Sequence, residues 1–351
     1  MKVGVVGTGT MGRNHVRVYS ELKAVEEVSV FDLNKENAKR VKEYGAVVCD
    51  SVDEVLRQAD AVSICVPTKN HLEVARRAIE KGVHCLIEKP IALTVWEGEE
   101  LVGLVRRAWQ ERKGLVVGVG QIERFNPVVE EIRRIIKEPL FVEMRRHNPA
   151  SARITDSTIV EDLMIHDVDI VFNVLFDGVY DGYEICSAGN DDLCTALIKF
   201  GSSSFASSVV SLSASRKASK KIRSVYVEEE EQTIEGDFMN QEIYVYRKPG
   251  KYGVENERYT QENIIEKVLV NKVEPLKEEL KTFVRCVEER EQREQGEQRE
   301  QGEQREQGEQ GEQGEEVEER GESRGSEFPI TASQGLANLR ICEEIKRGRG
   351  G

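Results

Sequence analysis

The chain has 351 residues with 39% hydrophobic side chains, which is enough for two domains with a core each. Its net charge at pH 7 is −14, but 13 Glu and 5 Arg between 291 and 324 contribute −8 of this, so the remainder is ordinary for a soluble protein. The sequence contains neither a basic stripe that would favour nucleic acid nor an apolar run long enough to span a membrane.

Strands and helices alternate through the first 120 residues. The predicted strands are the β-rich runs Lys2–Val6, Glu27–Phe31, Ala61–Val66, Val83–Ile87 and Leu115–Val119. The predicted helices between them are Met11–Leu22, Lys35–Tyr44, His71–Lys81 and Thr94–Glu111. This alternation is typical of right-handed βαβ crossovers, so residues 1–120 are predicted to form an α/β Rossmann domain with a doubly wound parallel sheet.

The pattern changes after residue 120. Helices are predicted at Pro127–Lys137 and Ile159–Leu175, with a strand at Leu140–His147. Strands then follow one another without intervening helices, at Tyr183–Ala188, Cys194–Phe200, Ser204–Leu212, Arg223–Glu228, Gln232–Gly236 and Glu242–Tyr246. Residues 121–290 are therefore predicted to form an α+β domain with a largely antiparallel open sheet, which binds substrate and makes the oligomer contact.

The last part of the chain combines two amphipathic helices with a low-complexity tract. The helices are predicted at Pro275–Arg290 and Thr331–Lys346. The tract 291–325 repeats Glu, Gln, Arg and Gly and has almost no apolar residues, so it is predicted to be a disordered insert. Residues 326–351 then pack back on the body as a C-terminal helix. The tract is interpreted as an expanded surface loop, with an interaction tail as the alternative.

The seven cysteines include no C-x-x-C pair, and five of them lie in apolar or strand-like runs. Such cysteines behave as small buried hydrophobes. An odd count without metal-ligand spacing favours a reducing compartment and predicts no metal site. The N-terminus has no apolar run of secretory length, so the prediction is a soluble, cytoplasmic protein.

A glycine-rich loop connects the first strand to the first helix, and it reads Gly7-Thr8-Gly9-Thr10-Met11-Gly12. The first glycine of such a loop makes a tight turn, the second lets the backbone approach a pyrophosphate, and the third lets helix and strand pack closely. The free N–H groups and the dipole at the start of the helix then face the anion. The loop therefore predicts a dinucleotide-binding site.

Asp32 stands at the end of the second strand, twenty residues after Gly12. A carboxylate at this spacing accepts hydrogen bonds from the adenosine ribose hydroxyls and repels a 2′-phosphate. The predicted cofactor is therefore NAD rather than NADP, although Asn34 and Lys35 nearby leave NADP open as the alternative.

Two further segments follow strands at the carboxyl edge of the sheet, where open α/β sheets bind ligands. The predicted cofactor contacts in these segments are Val66, Pro67, Thr68, His71, Glu88 and Lys89. For His71 the opening of a helix is the alternative role. Lys89 stands between an acid and a proline, and it is interpreted as functional rather than as a solvated surface charge.

These residues, together with Asp162-Leu163-Met164-Ile165-His166-Asp167, make the sequence resemble the Gfo/Idh/MocA oxidoreductases. That family is named for glucose–fructose oxidoreductase, inositol dehydrogenase and a rhizopine-catabolism protein. The Glu-Lys-Pro element combined with D-x-x-x-H is specific, whereas either alone is not. The resemblance covers essentially the whole chain outside the tract 291–325, and it implies an NAD-dependent dehydrogenase that acts on a CH–OH group.

Asp162 and His166 are four residues apart, so on a helix they share one face and can address one substrate. Oxidation of a secondary alcohol needs a base for the hydroxyl proton while hydride leaves the same carbon, and histidine titrates in a suitable range. By resemblance His166 is the base, Lys89 polarises or relays to the reacting oxygen, and Asp162 orients the sugar. The alternative for His166 is a structural histidine inside a packed helix.

A narrower resemblance points to a substrate. The run Gly118–Pro127, followed by Glu161–Asp169, is similar to the UDP-N-acetylglucosamine 3-dehydrogenases and related sugar-nucleotide oxidoreductases of this family. This resemblance, with the need of a diphosphate for cations, implies five substrate contacts: Arg124, Asn126, Pro127, Lys221 and Arg223. Lys221 and Arg223 have simple solvation on a strand as the alternative. Gln121 departs from the histidine that is common at its position in the relatives.

The predicted function is the NAD-dependent oxidation of the C3 hydroxyl of UDP-N-acetylglucosamine to a 3-keto sugar nucleotide, which an aminotransferase of the same pathway would convert to a 3-amino sugar. One alternative is an NAD(P)-dependent dehydrogenase of another sugar or of a polyol such as inositol. An alternative of another class is a non-catalytic NAD-binding regulator, which would need none of Lys89, Asp162 and His166. An exposed sheet face in the second domain predicts a homodimer or homotetramer.

Overall fold

The structure, a computed structural model, describes residues 1–112, 114–149, 157–177, 182–201, 207–249, 252–255, 258–261, 263–306 and 327–349. The chain divides into two units. The first comprises Met1–Gly120 and Leu276–Leu336, and the second comprises Gln121–Pro275 and Ala337–Gly351. Residues 276–290 therefore fall in the first unit, whereas the sequence assigned them to the second domain.

A six-stranded sheet forms the centre of the first unit. Its strands are β1 (Lys2–Val6), β2 (Glu27–Phe31), β3 (Val47–Val48), β4 (Ala61–Ile64), β5 (His84–Glu88) and β6 (Val117–Gly120). They lie in the order β3-β2-β1-β4-β5-β6, and all neighbours are parallel. The order reverses direction at β1, and such switch points bind ligands at the carboxyl ends of the strands. The predicted doubly wound Rossmann fold is confirmed.

The helices of the first unit are α1 (Thr10–Glu21), α2 (Lys35–Arg40), α3 (Val52–Gln58), α4 (His71–Lys81), α5 (Val95–Arg112) and α8 (Pro275–Glu306). Neither β3 nor α3 is among the predicted elements, although the side chain of Ser51 caps α3 by accepting from the Glu54 N–H, which is a recognisable helix-start pattern. The predicted end of α8 at Arg290 is wrong, because the helix continues to Glu306. Residues 291–306 of the predicted insert thus belong to this helix, and 307–326 lies outside the described residues.

An eight-stranded sheet forms the second unit's framework, in the order β16-β13-β12-β11-β7-β10-β9-β8. The strands are β7 (Phe141–His147), β8 (Gly182–Gly189), β9 (Leu193–Gly201), β10 (Ser208–Ser215), β11 (Ile222–Glu228), β12 (Gln232–Asp237), β13 (Glu242–Arg247) and β16 (Ile264–Val268). All neighbours are antiparallel except β7 and β10, which run parallel, so the predicted largely antiparallel sheet is confirmed. Outside this sheet β14 (Tyr252–Glu255) pairs with β15 (Arg258–Gln261). The start of the predicted strand at Ser204 lies outside the described residues, and β14 to β16 are not among the predicted strands.

Three helices contribute side chains to the core on the buried side of this sheet: α6 (Pro127–Ile135), α7 (Ile165–Ile170) and α9 (Ala332–Gly348). The predicted helix Ile159–Leu175 is continuous but not uniform, because π-helical turns at Val160–Met164 and Val171–Leu175 flank α7. The second half of α9 adds three of its residues to the core: Ile341, Cys342 and Ile345. No helix that the structure describes is both long and apolar enough to cross a membrane.

Candidate active site

The three loop glycines are required for different reasons. Gly7 follows β1 with φ +88°, and a Cβ there would lie 2.7 Å from the carbonyl oxygen of Cys65. A Cβ on Gly12 would lie only 1.8 Å from the Gly7 carbonyl oxygen, so the chain's own packing excludes a side chain at both positions. Gly9 is exposed, and a Cβ there would meet nothing within 4 Å among the described residues. A glycine at position 9 is instead explained by a ligand that needs to approach the backbone.

Gly9 is also the residue before α1, and no side chain caps that helix. Thr10 and Met11 form its first turn, whose N–H groups give a helix start its affinity for phosphate. The loop therefore fits the pyrophosphate of a dinucleotide.

Asp32 directly follows β2, and its side chain is hydrogen-bonded to the glycine-rich loop. Its Oδ2 accepts from the Thr8 N–H at 2.7 Å and from Thr8 Oγ1 at 3.2 Å, while its Oδ1 accepts from the Asn34 N–H at 2.7 Å. A carboxylate offers about four acceptor positions, so three bonds fix its direction and leave one on Oδ1. A ribose hydroxyl fits that remaining position.

The residues after β4 and β5 are tied together by His71, which is 1% exposed. Its Nδ1 lies 2.9 Å from the Pro90 carbonyl oxygen, and its Nε2 lies 2.9 Å from the Val66 carbonyl oxygen. Burial lowers the pKa of His71. Each ring nitrogen faces a backbone carbonyl, and the neutral ring donates to one of the two, so His71 lies between the segments that follow β4 and β5. Pro67 is exposed and Thr68 half-buried, in the 3-10 turn that precedes α4.

Glu88 belongs to a buried chain of hydrogen bonds that starts at the Lys89 backbone and ends at the Tyr19 hydroxyl. Glu88 Oε2 accepts from the Lys89 N–H at 3.3 Å, and Glu88 Oε1 lies 2.9 Å from His15 Nε2. His15 Nδ1 lies 3.1 Å from Ser63 Oγ, which lies 2.8 Å from the Tyr19 hydroxyl. Because a carboxylate only accepts, His15 Nε2 donates to Glu88, and His15 Nδ1 can then accept from Ser63 and Ser63 from Tyr19. The chain holds the backbone from which Lys89 projects.

Glu88 is ionised within this chain. Burial acts to raise its pKa, but the hydrogen bond from His15 and the charge of Lys89 outweigh that effect, so the pKa of Glu88 lies below its ordinary value. The Cys65 thiol lies close to His15 and Glu88, and burial raises its pKa well above the ordinary value. His15, Cys65 and Glu88 are the one group among the described residues with metal-ligand spacing, but hydrogen bonds already use both nitrogens of His15.

In the second unit, Asp162 and His166 have different partners. Asp162 Oδ2 forms an ion pair with Arg216, at 3.1 Å from Nη2 and 3.3 Å from Nε. His166 is 8% exposed, and its Nδ1 lies 3.0 Å from the side-chain oxygen of Gln121. Both residues therefore have their side chains fixed by groups that the sequence analysis did not assign to them.

A buried ion-pair network lies beside these residues. Arg146 is 1% exposed and donates to Asp167 Oδ1 at 2.7 and 3.0 Å and to Glu123 Oε1 at 2.9 Å. Arg223 donates to the same Glu123 oxygen at 2.7 Å. Burial acts to raise the pKa of Glu123, but Arg146 and Arg223 hold it below the ordinary value. For Asp167 burial prevails over Arg146, and its pKa is raised.

Four of the five predicted substrate residues have a role in the fold of the second unit: three make ion pairs or hydrogen bonds, and one begins a helix. Arg124 forms a two-pronged ion pair with Asp169. Asn126 is buried and caps α6, accepting from the Val128 N–H at 3.1 Å and donating to the Phe238 carbonyl at 3.0 Å, and Pro127 is the first residue of that helix. Arg223 belongs to the Arg146 network. Lys221 is exposed, and the nearby charge of Arg223 lowers its pKa.

Several side chains that contact the candidate site residues or the residues beside them were not found from the sequence. They are His15, Gln121, Glu123, Arg146 and Arg216. Two of them had usable signals: His15 lies three residues after Gly12 on the helix that faces the sheet, and Arg146 occupies an inward position of an alternating strand. An arginine at an inward strand position needs buried acids, and Asp167 stands on the predicted helix Ile159–Leu175, whereas Glu123 lies between two predicted elements.

Two comparisons identify the chain's relatives. Residues 1–121 match the family described as an oxidoreductase family with an NAD-binding Rossmann fold. UDP-N-acetylglucosamine 3-dehydrogenase from Acidithiobacillus ferrooxidans is 33% identical over 270 residues, which cover 73% of this chain and 82% of the relative. The chain belongs to the Gfo/Idh/MocA oxidoreductase family.

The relatives are named for different substrates. Inositol 2-dehydrogenase from Paracoccus denitrificans is 29% identical over 196 residues, which cover 53% of this chain and 57% of the relative. The solved structure of the Acidithiobacillus ferrooxidans enzyme matches this chain with a TM-score of 0.77 at 25% identity, covering 99% of this chain and 97% of the other. The chain is therefore an oxidoreductase of the dehydrogenase type, with relatives that act on sugar and polyol hydroxyl groups.

Alanine at two loop glycines is expected to have different effects. In Gly12→Ala the new methyl meets the Gly7 carbonyl oxygen, so Tm should fall by about 2–10 °C. In Gly9→Ala the methyl enters open space, so Tm should stay the same while NAD affinity falls about tenfold or more. Thermal unfolding and calorimetric titration with NAD measure both effects. An equal loss of Tm in the two variants would contradict this account of the loop.

Replacing the buried arginine is expected to destabilise the second unit. In Arg146→Met the Asp167 carboxylate loses its cation while it stays buried, which should cost about 3–5 kcal/mol of unfolding free energy. Arg145→Met is the matched control, because Arg145 points outward on the same strand with 47% of its side chain exposed, and its loss should stay within about 0.5 kcal/mol. Urea unfolding compares the two, and similar midpoints would show that the network contributes little.

Proposed function

We propose that this protein oxidises the C3 hydroxyl of UDP-N-acetylglucosamine to a 3-keto sugar nucleotide, with NAD as the hydride acceptor. The observation that carries the proposal is the 33% identity to a UDP-N-acetylglucosamine 3-dehydrogenase across 73% of the chain, which reaches into both units. The retention of Lys89, Asp162 and His166 supports it, because a protein that only bound NAD would need none of these three side chains.

Each of the three side chains has a role in the proposed reaction. His166 takes the proton of the C3 hydroxyl, and the same carbon gives up a hydride, so the alcohol loses two electrons and two hydrogens. Lys89 polarises the reacting oxygen as negative charge develops on it. Asp162 orients the sugar, and its ion pair with Arg216 holds the carboxylate in one direction. NAD, when bound, supplies the electron acceptor, and the protein supplies position and proton transfer.

The proposed cofactor is NAD rather than NADP because of Asp32. The carboxylate has one acceptor position left after its bonds to Thr8 and Asn34, which suits a ribose hydroxyl. A 2′-phosphate in the same place would bring like charges together.

Three further expectations belong to this proposal. A 3-keto sugar nucleotide is a substrate for amination, so an aminotransferase is the expected next enzyme. The outward side of β9 exposes Leu193 and Leu197, at 43% and 50%, and this supports a homodimer or homotetramer in which the sheet face is covered. The seven cysteines are free thiols, which persist in a reducing compartment, and this supports a cytoplasmic location.

A polyol such as inositol is the second candidate substrate, because inositol 2-dehydrogenases are also relatives of this chain. They match it over a shorter stretch and at lower identity than the sugar-nucleotide enzyme does. The pair of basic residues at Lys221 and Arg223 also suits a diphosphate, which inositol lacks.

The substrate is tested by NADH formation with UDP-N-acetylglucosamine, with free N-acetylglucosamine and with myo-inositol. Turnover of the UDP-sugar alone is the expected result. Lys89→Ala should lower kcat/KM about 100- to 10,000-fold while NAD still binds, because the lysine acts on the reacting oxygen. Lys81→Ala is the control, since its side chain pairs with Asp53 on the surface. Turnover of inositol but of no UDP-sugar would overturn the proposed substrate.

The cofactor preference is tested by replacing Asp32. Asp32→Ala removes a charged acceptor of the ribose hydroxyl, so the affinity for NAD should fall about 10- to 100-fold. The affinity for NADP should rise or stay constant, because the repulsion of the 2′-phosphate is also removed. Asp53→Ala, at a surface carboxylate paired with Arg77, should change neither affinity. An NADP preference in the unmodified protein would show that the proposed cofactor is wrong.

A further inference from the structure

We propose that Gln121 is a positioning residue that fixes which nitrogen of His166 acts as the base. Its side-chain oxygen holds the proton of His166 on Nδ1, so that Nε2 carries the lone pair that receives the substrate proton. This inference rests on the proposed function in one respect, namely that His166 is the base. The tautomer itself is a property of the protein alone and can be measured without turnover.

The two side chains meet in a place where water does not compete. Gln121 is 1% exposed and His166 is 8% exposed. The 3.0 Å contact joins His166 Nδ1 to Gln121 Oε1. Gln121 directly follows β6, and His166 is the second residue of α7, so the contact connects segments that are distant in the chain. A hydrogen bond in such a buried place fixes the plane of the imidazole as well as its proton.

The chemistry of the two groups sets the direction of this bond. A side-chain amide oxygen only accepts, so the ring nitrogen that faces it must carry a hydrogen. A neutral imidazole has one N–H, and placing it on Nδ1 leaves Nε2 as the acceptor. The bond to a second group thus decides which nitrogen carries the lone pair that can accept a proton, in the way that partners of metal-bound histidines decide which nitrogen binds the metal.

The amide also suits the reaction better than a carboxylate would. When Nε2 takes the substrate proton, the ring becomes an imidazolium whose Nδ1–H still donates to Gln121, so the contact persists through the step. An amide oxygen carries only part of a negative charge, so it orients the ring without holding it permanently protonated. A permanently protonated ring could not act as the base.

The position of Gln121 carries an energetic cost that the His166 contact helps to explain. Its Nε2 is buried, and within the described part of the chain it has no hydrogen-bond partner. A buried amide donor without a partner destabilises the fold, so an apolar side chain of the same size would be the more stable choice at this position. The presence of a polar group here is accounted for by what its oxygen does for His166.

The direct test is nitrogen-15 NMR of the histidine rings at alkaline pH, where the rings are neutral. The chain has five histidines, and a His166→Asn variant assigns the signal of His166. The expected result is the Nδ1–H tautomer for His166 in the unmodified protein. Gln121→Met has a similar volume without an acceptor oxygen, and should shift His166 towards the Nε2–H form that free imidazole side chains favour. Gln121→Glu retains an acceptor and should retain the Nδ1–H form.

A matched control separates this effect from the loss of any buried glutamine. Gln232 is also buried in the second unit, at 7% exposure, and bonds to Arg247 and Glu229. Gln232→Met should leave the His166 signal in place. Thermal unfolding and NAD titration show that each variant folds, and the spectrum of the unmodified protein decides the tautomer if Gln121→Met does not.

Kinetics supply the second readout. Gln121→Met should lower kcat with UDP-N-acetylglucosamine on the order of 10- to 100-fold, with KM changed less than about threefold. Gln121→Glu should recover part of the loss only at higher pH, where the ring beside the carboxylate gives up its proton. An Nε2–H tautomer in the unmodified protein, or an Nδ1–H tautomer that persists in Gln121→Met, would overturn the inference. If no sugar nucleotide is turned over, the proposed function fails while the NMR result still decides the role of Gln121.

Discussion

The buried guanidinium of Arg146 is the interaction on which the second unit's functional region depends. A cation removed from water must be compensated by acids, and here Glu123 and Asp167 come from two different elements to provide them. The network thereby fixes the turn after β6, the strand β7 and the helix α7 relative to one another. Gln121 lies two residues before Glu123, and His166 lies one residue before Asp167, so the same ion pairs bring these two side chains together.

A comparable constraint operates in the first unit. Glu88 is buried and ionised, and its hydrogen bond from His15 reaches across from α1 to the end of β5. Because the Lys89 backbone is bonded to the same carboxylate, the lysine leaves the sheet from a fixed point. In both units the candidate catalytic residues are thus held by buried polar partners. Such a supporting layer keeps reactive side chains within the narrow range of positions that catalysis needs.

The residues that the family resemblance marked as binding groups fall into two classes. Some are used by the protein itself: Gly12 allows the loop to pass the Gly7 carbonyl, His71 bridges two backbone carbonyls, and Asn126 caps a helix. Others can still contact a ligand: Gly9 has open space beside it, and Asp32 has one acceptor position left. A motif read from sequence cannot separate these classes, because the same residue type satisfies a structural need and a ligand.

The sequence by itself determined the Rossmann unit, the α+β character of the second half and the family. Strand and helix periodicity, the glycine spacing and the position of Asp32 depend on local geometry, so they can be read along the chain. Its failures were also local: β3 has only two residues, and the charged repeat after Arg290 extends a helix through Glu306 because Glu, Gln and Arg are good helix formers despite the glycines.

Only the tertiary structure decided which groups accompany Lys89, Asp162 and His166. The partners Glu88–His15, Asp162–Arg216 and His166–Gln121 join residues that are 73, 54 and 45 positions apart. No periodicity connects residues at such distances, because burial and charge compensation in the folded core select them. For that reason the sequence could name the candidate catalytic side chains, while the groups that contact them became visible only in the fold.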